Sequence, residues 1–255
     1  MKTYTLITGA SQGIGEEFAR LAAEKGHNLI ISARNEAALN TLAQELSAEV
    51  DVVVLSADLS EPSAAQALWE AASEGRHINR LINNAGYGLS GPITAFTADE
   101  HDALLEVNVG ALTRLSRFAI GHMQEAGGGK ILNVASLLAY LPAPYFSTYG
   151  ASKSYVLAFS EALSKELSDS TVSVTALCPG PTETGFFDRA QMDGTKAANS
   201  AMQSAADVAR IGWDAMEAGR TAVVPGSQNR LLAFATRFAP RNALASTAAQ
   251  LFSKP

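Results

Sequence analysis

Short apolar runs alternate with longer stretches of helical period from the start of the chain. Residues 4–8, 28–32, 52–56, 80–83, 130–135 and 172–177 are β-rich runs, and residues 221–224 form a last short one. Helical patterns lie between them, at residues 12–25, 35–47, 97–125 (one helix or two), 149–167 and 207–217. A further helix is expected to open at Ser60-Glu61-Pro62, with the proline in its first turn. The run Gly127-Gly128-Gly129 ends the longest helical segment. Strands separated by helices demand right-handed crossovers and a sheet covered on both sides. The pattern therefore predicts an α/β fold: a doubly wound, Rossmann-like parallel sheet of about seven strands with helices on both faces. A ligand is expected beyond the strand C-termini, near the switch point of the sheet. No repeat or linker splits the chain, so residues 1–225 read as one dinucleotide-binding and catalytic domain, with residues 226–255 as a tail packed on it.

Composition agrees with this picture. Of 255 residues, 47% are hydrophobic and 17% charged, which excludes disordered, collagen-like and disulfide-framework classes. The single cysteine, Cys178, cannot form an intrachain disulfide. The first apolar stretch is too short for a signal-peptide core and no run approaches a membrane span, so a cytoplasmic protein is expected. No metal-ligand spacing links the four histidines and the cysteine. The net charge of −6 argues against nucleic acid as a partner. That total hides a split, because beyond Glu217 there is no acidic residue while Arg220, Arg230, Arg237, Arg241 and Lys254 follow. The tail thus carries +5 and the body −11.

The first strand runs into Thr8-Gly9-Ala10-Ser11-Gln12-Gly13-Ile14-Gly15, which opens a helix. Gly9 permits a tight turn, Gly13 lets backbone amides approach a pyrophosphate, and Gly15 allows close helix–sheet packing. Ser11, Gln12 and Ile14 complete this loop, whose helix end offers unpaired N–H groups and a positive dipole to an anion. Gly9-Ala10-Ser11-Gln12-Gly13 also matches a hydrolase nucleophile elbow. That reading fails because the elbow needs earlier strands and a preceding loop to supply the oxyanion hole, for which the position of Ser11 leaves no room, and because His27, His77, His101 and His122 fall in predicted helices or at their edges. The second strand ends Ser32-Ala33-Arg34 with no carboxylate for a ribose 2′-hydroxyl. Small Ala33 with Ser32 and Arg34 suits a 2′-phosphate, so NADP is favoured over NAD.

Further along stand Asp58 after the third strand, Asn83-Asn84-Ala85-Gly86 after the fourth, Asn108, Ser136, Tyr149-x-x-x-Lys153 and Pro179-Gly180. In this order and approximate spacing, from Thr3 to about Val224, the chain resembles the short-chain dehydrogenases/reductases of compact form. The resemblance implies an NAD(P)-dependent oxidoreductase exchanging a hydride with a ketone or secondary alcohol, Tyr149 serving as general acid in reduction. Tyr149 and Lys153 are four apart on one helix face, and a nearby ammonium is expected to lower the tyrosine pKa. By the same resemblance Lys153 also holds the nicotinamide ribose, Ser136 polarises the substrate carbonyl, and Asn108 bends its helix and holds a water that links Lys153 to solvent. Asp58 and Leu59 would meet the adenine, Asn84, Ala85 and Gly86 the adenosine side, and Pro179, Gly180, Thr182 and Thr184 the nicotinamide amide. Thr182 stands where the family usually has Val or Ile. The six-residue Tyr–Lys interval of enoyl reductases is missing, which favours C=O over C=C. Two alternatives stay open: an NAD-dependent alcohol or hydroxysteroid-type dehydrogenase, and a non-catalytic NADP-binding sensor. Family members commonly pair as tetramers or dimers, here through residues 102–123 and 149–167.

The substrate pocket is expected from residues 137–148, with Leu137, Leu138, Tyr140, Pro142, Tyr145 and Phe146, and from residues 185–204. The second stretch begins Phe186-Phe187, holds Arg189 and Lys196, and reads as a lid. Neither has a cationic cluster, which points to an apolar substrate. In the tail, Leu231, Leu232, Phe234 and Phe238 alternate with Arg230, Arg237 and Arg241, an amphipathic and cationic pattern. Packing on its own domain or on a neighbouring subunit is the expectation, and contact with a membrane surface the alternative.

Overall fold

The strands alternate their side chains between two cores, and this alternation explains the layers. A computed structural model describes residues 2–186, 190 and 202–252. Strand β1 (Thr3–Thr8) sends Leu6 to one side and Ile7 to the other. Its neighbours β2 (Asn28–Ala33) and β4 (His77–Asn83) do the same with Ile30 against Ile31 and Leu81 against Ile82. β3 (Val52–Ser56), β5 (Gly129–Val134), β6 (Val172–Leu177) and the edge strand β9 (Ala222–Val223) complete a sheet of order β3-β2-β1-β4-β5-β6-β9. Every pairing in it is parallel.

One face is covered by α1 (Gly13–Glu24), α2 (Glu36–Leu46) and α7 (Ala205–Glu217), through Phe18, Leu39 and Trp213. The other is covered by α3 (Ala64–Ser73) and α5 (Leu112–Glu125), through Leu68, Trp69, Leu115 and Met123. Helix α6 (Ser147–Glu166) seats Val156 and Leu157 on Ala135, Ala176 and Cys178. The crossovers reverse direction between β1 and β4, and there the strand ends splay around a cavity. No described helix is long and apolar enough to cross a membrane.

Several expectations are corrected. β4 starts at His77, not Arg80: His77 pairs with Thr3, and its N–H donates to the Lys2 carbonyl. His77 is therefore a strand residue whose ring stacks on His122 at 5.3 Å, not a helix edge. Helix α3 does not open at Pro62. The Asp58 carboxylate accepts from the Ser60 N–H at 3.0 Å and the Ser60 hydroxyl at 2.8 Å, and this turn delays the helix to Ala64. The long segment is α4 (Ala98–Leu105), then a π-helical turn (Glu106–Ala111), then α5. Two short strands, β7 (Thr182–Glu183) and β8 (Gln203–Ser204), pair with each other. The tail holds α8 (Ser227–Ala235) and α9 (Arg241–Phe252).

Candidate active site

The glycine loop takes its shape from positive backbone angles that side chains resist. Gly9 has φ +68°, and a Cβ there would stand 2.8 Å from Asn84 Nδ2. Gly13 has φ +59° and faces the Thr184 methyl. No side chain caps the start of α1, and Gly13 and Ile14 line the cavity there. A helix N-terminus with free amides, roofed by Thr184, fits a pyrophosphate. Gly15 lies behind, pressed against the Gly9 backbone, and packs the helix rather than lining the cavity.

Thr8, which the sequence places only at the head of the glycine turn, organises this end. Its hydroxyl accepts from the N–H groups of Asn84 and Ala85, both at 3.1 Å. Asn84 Nδ2 returns two bonds, to the carbonyls of Thr8 at 3.0 Å and Gly9 at 3.1 Å. The loops after β1 and β4 are thereby locked together.

The cavity has a volume of about 870 Å³. Of the residues expected to hold a cofactor, Gly9, Ser11, Gln12, Gly13, Ile14, Arg34, Asp58, Leu59, Asn84, Ala85, Gly86, Pro179, Gly180, Thr182 and Thr184 all line it. At one end the Arg34 guanidinium stands 4.0 Å from the Asp58 carboxylate, both exposed. Burial raises the Asp58 pKa, but hydrogen bonds from Ser60 and the charge of Arg34 outweigh it and hold the carboxyl below its ordinary range. The Thr182 hydroxyl donates to the Gly180 carbonyl at 2.9 Å, so its side chain serves its own loop.

At the other end Tyr149 and Lys153 share one face of α6, both buried. Lys153 Nζ donates to the Val134 carbonyl at 2.8 Å and lies 5.7 Å from the Tyr149 ring. Ser136, at the end of β5, accepts from the Leu138 N–H at 3.1 Å. Asn108 sits in the π-helical turn outside the cavity wall, its amide bonded to the Tyr87 carbonyl and the Ser152 hydroxyl, both at 3.0 Å. Gly86 lies over Asn108 and Lys153, where a Cβ would be 3.1 Å from Asn108 Oδ1 and 3.2 Å from Lys153 Nζ.

The expected drop in the Tyr149 pKa is not what the structure shows. Burial pushes the phenol up to about 12, with a hydrogen bond involving Ser136 pulling the other way, and pushes Lys153 down to about 8. The ammonium is turned to the Val134 carbonyl, and desolvation dominates both groups.

Leu137, Leu138, Leu141, Phe146 and Phe186 form an apolar wall near Tyr149. The Phe146 and Phe186 rings lie 4.5 Å and 5.3 Å from that of Tyr149. Three expected wall residues, Tyr140, Pro142 and Tyr145, are not part of it. Tyr140 turns inward to Cys178 Sγ, while Tyr145 is exposed, with φ +63°. Phe187, Arg189, Lys196 and Lys254 lie outside the described residues, as does most of the expected lid. The tail supplies residues that had not been foreseen: Gln228, Asn229, Leu232, Leu251 and Phe252 all line the cavity. Among the described residues no group of three or more His, Cys, Asp or Glu is placed to hold a metal ion.

A doubly wound sheet, a glycine turn at its switch point and a buried Tyr–Ser–Lys cluster define a dinucleotide-dependent oxidoreductase. Residues 3–194 match the short chain dehydrogenase family, and the protein belongs to it as an NAD(P)-dependent oxidoreductase. It is similar to a short-chain dehydrogenase from Sphingobium yanoikuyae in complex with NADPH, with 32% identity, 93% of each chain covered and a TM-score of 0.84. A short chain dehydrogenase/reductase from Burkholderia phymatum in complex with NAD shares 27% identity over 91% of this chain and 92% of that one, with a TM-score of 0.82. The bulky-bulky ketone specific alcohol dehydrogenase from Comamonas testosteroni shares 28% over 93% and 92%, with a TM-score of 0.79.

Proposed function

We propose that the protein is an NADP-dependent reductase of bulky, apolar ketones, able to run in reverse on the secondary alcohols. The observation that carries this reading is the meeting of Tyr149 with the wall of Leu137, Leu138, Leu141, Phe146 and Phe186 in one cavity. The bound dinucleotide would supply the hydride. Its pyrophosphate would rest on the amides of Gly13 and Ile14, with Ser11 and Gln12 beside it, and Arg34 would meet a 2′-phosphate. Asp58, Leu59, Asn84, Ala85 and Gly86 would border the adenosine half, and Pro179, Gly180, Thr182 and Thr184 the nicotinamide half.

With its pKa near 12, Tyr149 keeps its proton at neutral pH, as a general acid for reduction must. Ser136 would hold the substrate oxygen beside the phenol, and Lys153, charged below about pH 8, would bind ribose hydroxyls and steady the phenolate. Among the described residues, the wall of Leu137, Leu138, Leu141, Phe146 and Phe186 carries no charge to pair with a carboxylate or phosphate on the substrate. A named activity on bulky ketones in the Comamonas testosteroni protein, 28% identical, supports the same substrate class.

The test is NADPH consumption over a panel of ketones graded in size and polarity, with Tyr149→Phe as control. Bulky apolar ketones should be turned over, and Tyr149→Phe should lose roughly 10²-fold or more in kcat. Equal rates in the two proteins would remove Tyr149 from the chemistry, and a preference for small or anionic substrates would overturn the proposed class.

A further inference from the structure

Helix α8 has two working sides. Gln228, Asn229 and Leu232 turn to the cavity. Leu231 and Phe234 turn away from it and are exposed, as is Phe238 in the turn that follows, the most exposed at 75%. The spacing of these three is i, i+3, i+7, one helical stripe. Phe234 and Phe238 pack edge to face at 5.2 Å, so the stripe is one patch rather than scattered side chains. Beside it Arg230, Arg237 and Arg241 are exposed, and none makes an ion pair among the described residues. The nearest acidic residue in sequence is Glu217, so nothing in the tail neutralises them.

A second copy docking through this same patch would bring a cluster of arginines with no acidic residue in the tail against another such cluster, an unfavourable pairing. Anionic lipid headgroups complement the arginines, and the interfacial acyl region accommodates phenylalanine and leucine rings and chains. The cavity opens beside the patch, since Leu232 and Leu251 both line it while 47% and 42% exposed. We infer that α8 and the turn through Phe238 seat the protein peripherally on an anionic lipid surface, with the mouth of the cavity at that surface.

The test is co-sedimentation of the full-length protein with vesicles of phosphatidylcholine alone and with added phosphatidylglycerol. Binding should require phosphatidylglycerol and weaken as salt is raised. Arg230→Gln, Arg237→Gln and Arg241→Gln should each lower partitioning about fivefold. Leu231→Ser, Phe234→Ser and Phe238→Ser should each lower it roughly tenfold. None of these side chains lines the cavity, so turnover of a dissolved ketone and the melting temperature should stay unchanged. The measurement is separate from the substrate reading: vesicle binding can fail while ketone reduction survives, and the reverse. Equal sedimentation with both vesicle types, or apolar variants that bind like the parent, would overturn the inference. So would a protein that ignores vesicles yet falls from a larger to a smaller species when the three apolar residues are changed, because the patch would then be a subunit contact.

Discussion

Asn108 and Tyr87 exchange two hydrogen bonds: the Tyr87 N–H donates to Asn108 Oδ1 at 3.1 Å, and Asn108 Nδ2 donates to the Tyr87 carbonyl at 3.0 Å. A third bond, from Asn108 Nδ2 to the Ser152 hydroxyl, ties this pair to α6 one residue before Lys153. The π-helical turn at Glu106–Ala111 carries that amide between the loop after β4 and α6. Asn108 therefore sets the distance between the two walls that bear Gly86 and Lys153.

Asn108→Ala should consequently be costly. It leaves the partly buried Tyr87 backbone groups and the buried Ser152 hydroxyl short of a partner, with an expected loss of about 3 kcal/mol in urea denaturation. Loosening Tyr87, which lines the cavity, should also raise the Kd for the dinucleotide. A loss below about 0.5 kcal/mol would mean that water replaces the amide without penalty.

The buried ammonium predicts a pH dependence whose sign can be worked out. Lys153 has its pKa depressed from 10.5 to about 8 by desolvation. Below pH 8 both folded and unfolded chains hold the proton, and the folded state bears the full cost of burying it. Between about 8 and 10.5 only the unfolded chain binds the proton, so stability rises with pH across that window. The gain amounts to about 3 kcal/mol. Tyr149 and Cys178, both pushed up to about 12 by burial, act oppositely in the alkaline range. Comparison with Lys153→Met cancels them. The stability difference between the parent and Lys153→Met should move in favour of the parent as pH rises from 8 to 10.5. A constant difference would show that Lys153 is not desolvated in solution.

Arg34 predicts cofactor discrimination. It lines the cavity, and no carboxylate stands at the preceding position, Ala33. Arg34→Ala should weaken NADPH binding by roughly ten- to a hundredfold and leave NADH within about threefold, measured by quenching of protein fluorescence. Equal losses for both nucleotides would refute the 2′-phosphate role and reopen NAD as the working cofactor.

The order of elements was legible because a fully buried parallel strand is a short apolar run, and Leu29 to Ile31 or Val52 to Leu55 stand out as such. Much of the site was legible for a related reason. Gly9 to Gly15 lie within one turn, and Tyr149 and Lys153 on one helix face, so linear spacing reports their geometry. The role of Thr8 escaped notice because its partners, Asn84 and Ala85, are separated from it by three crossovers. The Tyr149 pKa was misjudged because spacing measures the nearness of the lysine and not the depth of burial, which here is decisive. His77 and Pro62 were misplaced by local chemistry, a strand pairing and an Asp58–Ser60 turn, that propensity alone does not register.

The tail residues were invisible for the strongest version of that reason, and they carry the last prediction. Phe252 packs on Phe146 with tilted rings whose centroids are 5.9 Å apart, joining positions more than a hundred residues distant in one cluster with Leu104 and Ala248. Phe146 in turn packs on Tyr149 at 4.5 Å, so α9 buttresses the Tyr149 ring through Phe146. Phe252→Ala should cost about 3 kcal/mol by leaving a void beside the cavity. It should also raise KM for bulky ketones more than it lowers kcat on small ones, because the enlarged wall holds the substrate less closely. Phe252→Leu, which keeps most of the volume, should recover the greater part of both losses. Thermal denaturation read beside the KM and kcat of the three proteins checks this. If Phe252→Ala unfolds at the parent temperature with unchanged KM, then α9 is a passenger on the surface, and the wall of the cavity ends at Phe186.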